Sequence, residues 1–115
     1  MNDDMPSASD WVTRHCEPCE GGTTPLDEFQ VEQGVKQLEG WAYEGGELVR
    51  TFTFKNYFQT MAFVNALAYI AHVEDHHPAL LVEYKTCTVR YKTHAIDGIS
   101  DNDFICAAKV GRLVD

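Results

Sequence analysis

Basic residues are scarce in this chain of 115 residues: nine Lys and Arg stand against eighteen Asp and Glu, a formal net charge of −9. Such a surface repels nucleic-acid phosphates, which argues against direct nucleic-acid binding. Long apolar runs are missing too, and none reaches the roughly 18 to 20 residues of a membrane span. Met1 to Asp10 is acidic where a signal peptide would be basic and then apolar, so a cytosolic protein without a membrane partner is expected. Cysteine is confined to Cys16, Cys19, Cys87 and Cys106, too few and too unevenly spaced for a disulfide scaffold, so reduced thiols are expected.

What is present is an apolar fraction of 44% with 11% aromatics, the composition of a folded globular protein, in a length that suits one domain. Residues 1–23 carry little hydrophobic periodicity, two prolines and the Gly21-Gly22 pair, and are expected to form a flexible N-terminal arm ahead of a domain over 24–115. The arm holds His15-Cys16-Glu17-Pro18-Cys19, whose Cys-x-x-Cys spacing suits a zinc knuckle or a redox site because both sulfurs can face one ion. A zinc site needs about four ligands, however, and no second close pair follows, so no metal is expected.

Thr24-Pro25 reads as an N-cap followed by proline at the first helical position, with Asp27 and Glu28 in the first turn; Gly34 weakens this helix and Gly40 should end it. Trp41 to Glu44 and Glu47 to Phe54 flank Gly45-Gly46 and predict a hairpin. From about Tyr57 to Glu74 there is neither glycine nor proline, and apolar residues cover most of the helical circumference, as in a central core helix. Ala79 to Tyr84 is a short apolar run. Thr86 to His94 alternates, with Cys87, Val89, Tyr91 and Thr93 on one face, which predicts two further strands with His94 at the end of the second. Ser100 looks like the N-cap of a last helix running to about Val114. The order predicts an α+β fold: a four-stranded antiparallel sheet with three helices packed on one face.

The chemistry-bearing stretch is His72-Val73-Glu74-Asp75-His76-His77-Pro78. Histidine is the side chain whose unperturbed pKa lies near neutrality, so two adjacent imidazoles suit proton transfer near pH 7. A solvated surface pair and half of a metal site are the other readings of the pair. Pro78 drives His77 out of helical geometry and should put the pair on a loop at the helix end.

Taken together, His72, His76-His77-Pro78, Tyr84, His94 and Asp103 resemble, in identity and spacing, the signature of the pterin-4a-carbinolamine dehydratases, a family also known as dimerisation cofactors of a homeodomain transcription factor. Gly40-Trp41, Phe54-Lys55-Asn56-Tyr57-Phe58 and Asn102-Asp103-Phe104 extend the resemblance over about Pro25 to Leu113. It implies dehydration of 4a-hydroxytetrahydropterin to quinonoid dihydropterin and water, with no metal or organic cofactor. The catalytic residues it implies are His76, His77 and His94, with Asp103 orienting or polarising one of them. Trp41, Pro78 and His72 are implied at the substrate; many family members carry Glu where this chain has His72. Trp41 can equally be read as a core residue. The resemblance further implies a homodimer or homotetramer, of the bacterial type, and a functional link to phenylalanine hydroxylase. The alternatives are a protein-binding cofactor and a dehydratase-like protein of another pterin or molybdopterin pathway.

Overall fold

Hydrophobic alternation and helix breakers lead to the expected sheet. In the computed structural model, which describes residues 5–19 and 23–115, the elements are α1 (Ala8–Trp11), α2 (Glu28–Val35), β1 (Ala42–Glu44), β2 (Glu47–Thr53), α3 (Tyr57–Glu74), β3 (Ala79–Val82), β4 (Thr86–Tyr91), a 3₁₀ turn (His94–Ile96) and α4 (Asp101–Gly111). The four strands form one antiparallel sheet in the order β1-β2-β4-β3. Gly45 and Gly46, with φ of 59° and 81°, make the two-residue turn that joins β1 to β2 and sets their register with Glu44 opposite Glu47.

One face of the central strands builds the core. Leu48 lies opposite Tyr91 and Phe52 opposite Cys87, and these four residues with Val89 are almost completely buried. Phe63 of α3 closes on Phe52 with ring centroids 4.5 Å apart. The long helix starts where the Asn56 side chain accepts the Gln59 amide at 2.9 Å, and it stops where Asp75 turns left-handed at φ 53°. α4 begins with a reciprocal cap: the Ser100 hydroxyl accepts the Asn102 amide, and the Asp103 carboxylate accepts the Ser100 amide at 3.0 Å.

Three expectations need correction. The first long helix does not start at Thr24: Leu26 donates its amide to Ile99 O at 2.9 Å, which holds this stretch outside the helix, and the cap is Asp27, paired with Gln30. The last strand ends at Tyr91 rather than His94, because Thr93 pairs with Gly98 and the chain folds into the 3₁₀ turn, with Asp97 left-handed at φ 48°. Residues 5–19 do not trail from the domain. Trp11 is 1% exposed and stacks on Phe104 at 5.5 Å, and Gly34, the weak point of α2, is where that helix meets the same Phe104 ring; a Cβ there would lie 2.5 Å from it. The arm adds a short fourth helix, α1, to the three expected. Its Gly21-Gly22 pair lies outside the described residues.

Candidate active site

The loop after α3, the 3₁₀ turn after β4 and the arm segment Cys16–Cys19 enclose a cavity of about 430 Å³. His76, His77 and His94 all line it. The first two arrive there because Asp75 ends the helix and Pro78 leads into β3; the third is carried by the 3₁₀ turn that replaces the end of β4.

Of the three, His76 is the one held by a buried acid. Its Nε2 lies 2.6 Å from Oδ1 of Asp103, which is fully buried. The other carboxylate oxygen accepts the Thr93 hydroxyl at 2.7 Å and the Ser100 amide at 3.0 Å, and the Thr93 and Ser100 hydroxyls meet at 2.7 Å. Asp103 therefore caps α4 and anchors a histidine with the same carboxylate. An acceptor on Nε2 puts the proton there and leaves Nδ1 as the ring nitrogen free to exchange one. Underneath, the His76 ring lies parallel to Tyr91 at 5.7 Å and 12°. Burial, together with the neighbouring Cys106, pushes the Tyr91 hydroxyl far above its ordinary value, so it stays a neutral phenol. His77 and His94 are exposed.

The other residues implied by the resemblance do not line the cavity. Trp41 is 7% exposed and packs in the core against Phe52 at 6.1 Å and Tyr91 at 6.2 Å, one layer behind His76. Pro78 is half-buried and shapes the loop; His72 is exposed on α3.

Sequence reasoning missed the other wall. Cys16, Glu17, Pro18 and Cys19 line the cavity together with Glu74 and Asn102. The Glu74 side chain, 3% exposed, accepts the Lys109 ammonium at 2.6 Å, the Cys16 amide at 2.7 Å and a bond with His15 Nδ1 at 2.9 Å. Burial pushes its carboxyl up, but these three partners outweigh that and pull it down to about 2. Asn102 clamps the same segment through both amide atoms, accepting the Glu17 amide at 3.1 Å and donating to the Glu17 carbonyl at 2.6 Å. Glu74 looks like an ordinary helix-end acid and Asn102 like an ordinary first-turn residue, so no local pattern reports either bond. Among the described residues no three His, Cys, Asp or Glu side chains converge as a metal site requires, so the Cys16 and Cys19 pair gains no further ligands.

The fold and the cavity define a small α+β protein with three histidines on one cavity, one of them tied to a buried carboxylate. Comparison with known proteins then narrows the class. The family model described as pterin 4 alpha carbinolamine dehydratase matches residues 24–113, and the chain belongs to that family. A relative from Nitrosomonas europaea, named provisionally as a pterin-4-alpha-carbinolamine dehydratase, is 56% identical over 95% of this chain and 97% of its own. One from Dechloromonas aromatica with the same name is 47% identical over 96% of this chain and 99% of its own. A crystal structure from Brucella melitensis, described as a transcriptional coactivator/pterin dehydratase, superposes with a TM-score of 0.76 at 26% identity, covering 80% of this chain and 100% of that one.

Proposed function

We propose that this protein dehydrates 4a-hydroxytetrahydropterin to quinonoid dihydropterin and water, and that His76, His77 and His94 perform the proton transfers. The reaction breaks the C4a–O bond and forms the N5=C4a double bond. An acid must protonate the departing hydroxyl and a base must take the N5 proton, and imidazoles supply both near pH 7. His76, turned by Asp103, works through Nδ1; His94, on the facing loop, is the second proton-transfer group. Asp103 is a positioning residue, since it meets His76, is fully buried and does not line the cavity. A cavity of about 430 Å³ is of the size that small-molecule sites have. The single observation that carries this reading is the convergence of three histidines, from two separate loops, on one cavity with a buried carboxylate behind the first.

The family membership and the names of the relatives support a pterin substrate, and with it a place beside an aromatic amino acid hydroxylase that generates the carbinolamine. The test is ultraviolet absorbance of freshly generated 4a-hydroxytetrahydropterin with wild type, His76→Ala and His94→Ala against buffer. Acceleration by wild type and its collapse in both variants is expected; no acceleration by folded wild type would sink the reading.

A second reading, a protein-binding cofactor, is favoured by one observation, the coactivator half of the Brucella melitensis description. Recovery of a transcription factor and no hydroxylase in a pulldown from the source organism would favour it. For either role the chain is proposed to be a homo-oligomer. Phe58, Tyr69 and Val73 on α3 are 81%, 69% and 52% exposed, and the edge strand β3 leaves Leu81 59% exposed, large apolar side chains that a second copy of the chain could cover. A monomer mass in light scattering at micromolar concentration would remove this proposal.

A further inference from the structure

Cys16 and Cys106 are ninety positions apart in the chain, yet their sulfurs lie 3.5 Å from each other. Cys16 belongs to the arm and lines the cavity, whereas Cys106 is fully buried in α4. The Cys106 thiol also points to the carbonyl of His76, 3.8 Å away, so the pair joins the arm, the last helix and the histidine loop. Cys19, the other half of the Cys-x-x-Cys, is engaged elsewhere: its sulfur accepts Asn102 Nδ2 at 3.4 Å. The local spacing suggests Cys16 with Cys19, but the tertiary packing gives Cys16 a different neighbour.

We propose that Cys16 and Cys106 form an oxidisable thiol pair, a modification site whose disulfide latches the arm to α4 across the wall of the histidine cavity. The sulfurs must close by about 1.5 Å to reach bonding distance, within reach of side-chain rotation and a small shift of the arm. The oxidant is a low-molecular-weight disulfide such as oxidised glutathione. The Cys16 sulfur, deprotonated, attacks one sulfur of the oxidant; that S–S bond breaks and the released thiolate takes the proton. The Cys106 thiol then attacks Cys16 Sγ, a second glutathione leaves as its thiol, and the protein disulfide remains. Two protein thiols are oxidised, one small disulfide is reduced, and two small thiols are formed.

Access orders these steps. The cavity reaches Cys16, whereas Cys106 is fully buried. The hydrogen bond shared with Cys106, burial and the nearby Glu74 carboxylate push the Cys16 thiol up from its ordinary value, so Cys16 rests as a neutral thiol and its oxidation is slow. The latch therefore answers sustained oxidising conditions and leaves the reduced arm to its Glu74 and Asn102 bonds in between. The pair is defined by distances and burial and stands whether or not the cavity dehydrates a pterin.

The experiment is equilibration of the full chain in glutathione buffers of rising oxidised fraction at pH 8, followed by alkylation, intact mass and peptide mapping. The expected result is two alkylatable thiols in place of four, with a peptide containing Cys16 linked to one containing Cys106. The linked peptide should persist in Cys19→Ser and vanish in Cys16→Ser. Because the bond closes a long loop, it should raise the Tm by about 5 °C or more, reversibly with dithiothreitol, in wild type and in Cys19→Ser but not in Cys16→Ser. A Cys16 to Cys19 link, or four free thiols after equilibration, would overturn the proposal, and both are read on wild type without any variant that has to fold.

Discussion

The two walls of the cavity are built by different means. The inner wall is set by buried side chains: Asp103 receives His76, Thr93 and the Ser100 amide, and every partner comes from the domain that the family model covers. The outer wall, Cys16 to Cys19, lies outside that match and is held by its backbone, through Glu74 on the Cys16 amide and Asn102 on both polar groups of Glu17. A side chain caught by its ring nitrogen has a defined tautomer and direction, which proton transfer requires. A segment caught by its amides has a defined path, which is what enclosing a ligand requires. On the proposed function, the difference makes reaction and enclosure separable, and each can be attacked alone.

Removing the anchored imidazole is the strongest attack on the inner wall. His76→Ala should lower kcat/KM by about 10²- to 10⁴-fold while the thermal midpoint stays close to that of wild type, read by the absorbance assay and a melting curve on the same preparation. An equal loss in a folded Trp41→Phe would contradict its placement in the core.

The arm is tested at its apolar anchor. Trp11→Ala should cost about 3 kcal/mol in urea denaturation, because a fully buried ring stacked on Phe104 leaves a cavity that the small α1 cannot refill. A cost under about 1 kcal/mol, the level of an ordinary surface change, would return the arm to the flexible segment its composition suggests.

Glu74 gives a pH signature confined to the outer wall. Its carboxyl is lowered from 4.5 to about 2, so the folded state favours the charged form: this stability is fully present above pH 4.5 and is lost as the pH falls toward 2. Glu74→Gln should cost about 1 to 3 kcal/mol at pH 7, because Lys109 loses its buried anionic partner, and the cost should shrink across that acid window. Parallel wild-type and variant stability curves from pH 7 to 3 would disprove the coupling. The smallest effect belongs to His72→Ala: an exposed side chain away from the cavity should change kcat/KM by about twofold at most.

The departures from expectation share a cause. The alternation of Cys87, Val89 and Tyr91 determined the buried face of β4, but it could not say that Thr93 would leave the ladder, because its hydroxyl is claimed by Asp103 and Ser100, ten and seven residues further on. Pro25 looked like a helix start until its neighbour Leu26 found Ile99 across the fold. Trp41 carries the same aromatic signal whether it faces a ligand or a core, and only the position of Tyr91 between it and His76 distinguishes the two.

By itself, the sequence determined the order of the helices and strands over residues 24–115, the antiparallel sheet and the position of His76 and His77 at a helix end, because period-2 and period-3.6 patterns, caps and prolines act within a few residues of one another. Tertiary structure alone decided which of the three histidines Asp103 meets, His76, that the Cys-x-x-Cys arm becomes a wall of the cavity, and that Cys16 lies beside Cys106 rather than gathering ligands with Cys19. Those contacts join residues 27 to 90 positions apart. They exist because burial of Trp11, Phe104 and Tyr91 brings the segments together, and no local pattern records which polar groups then come within reach.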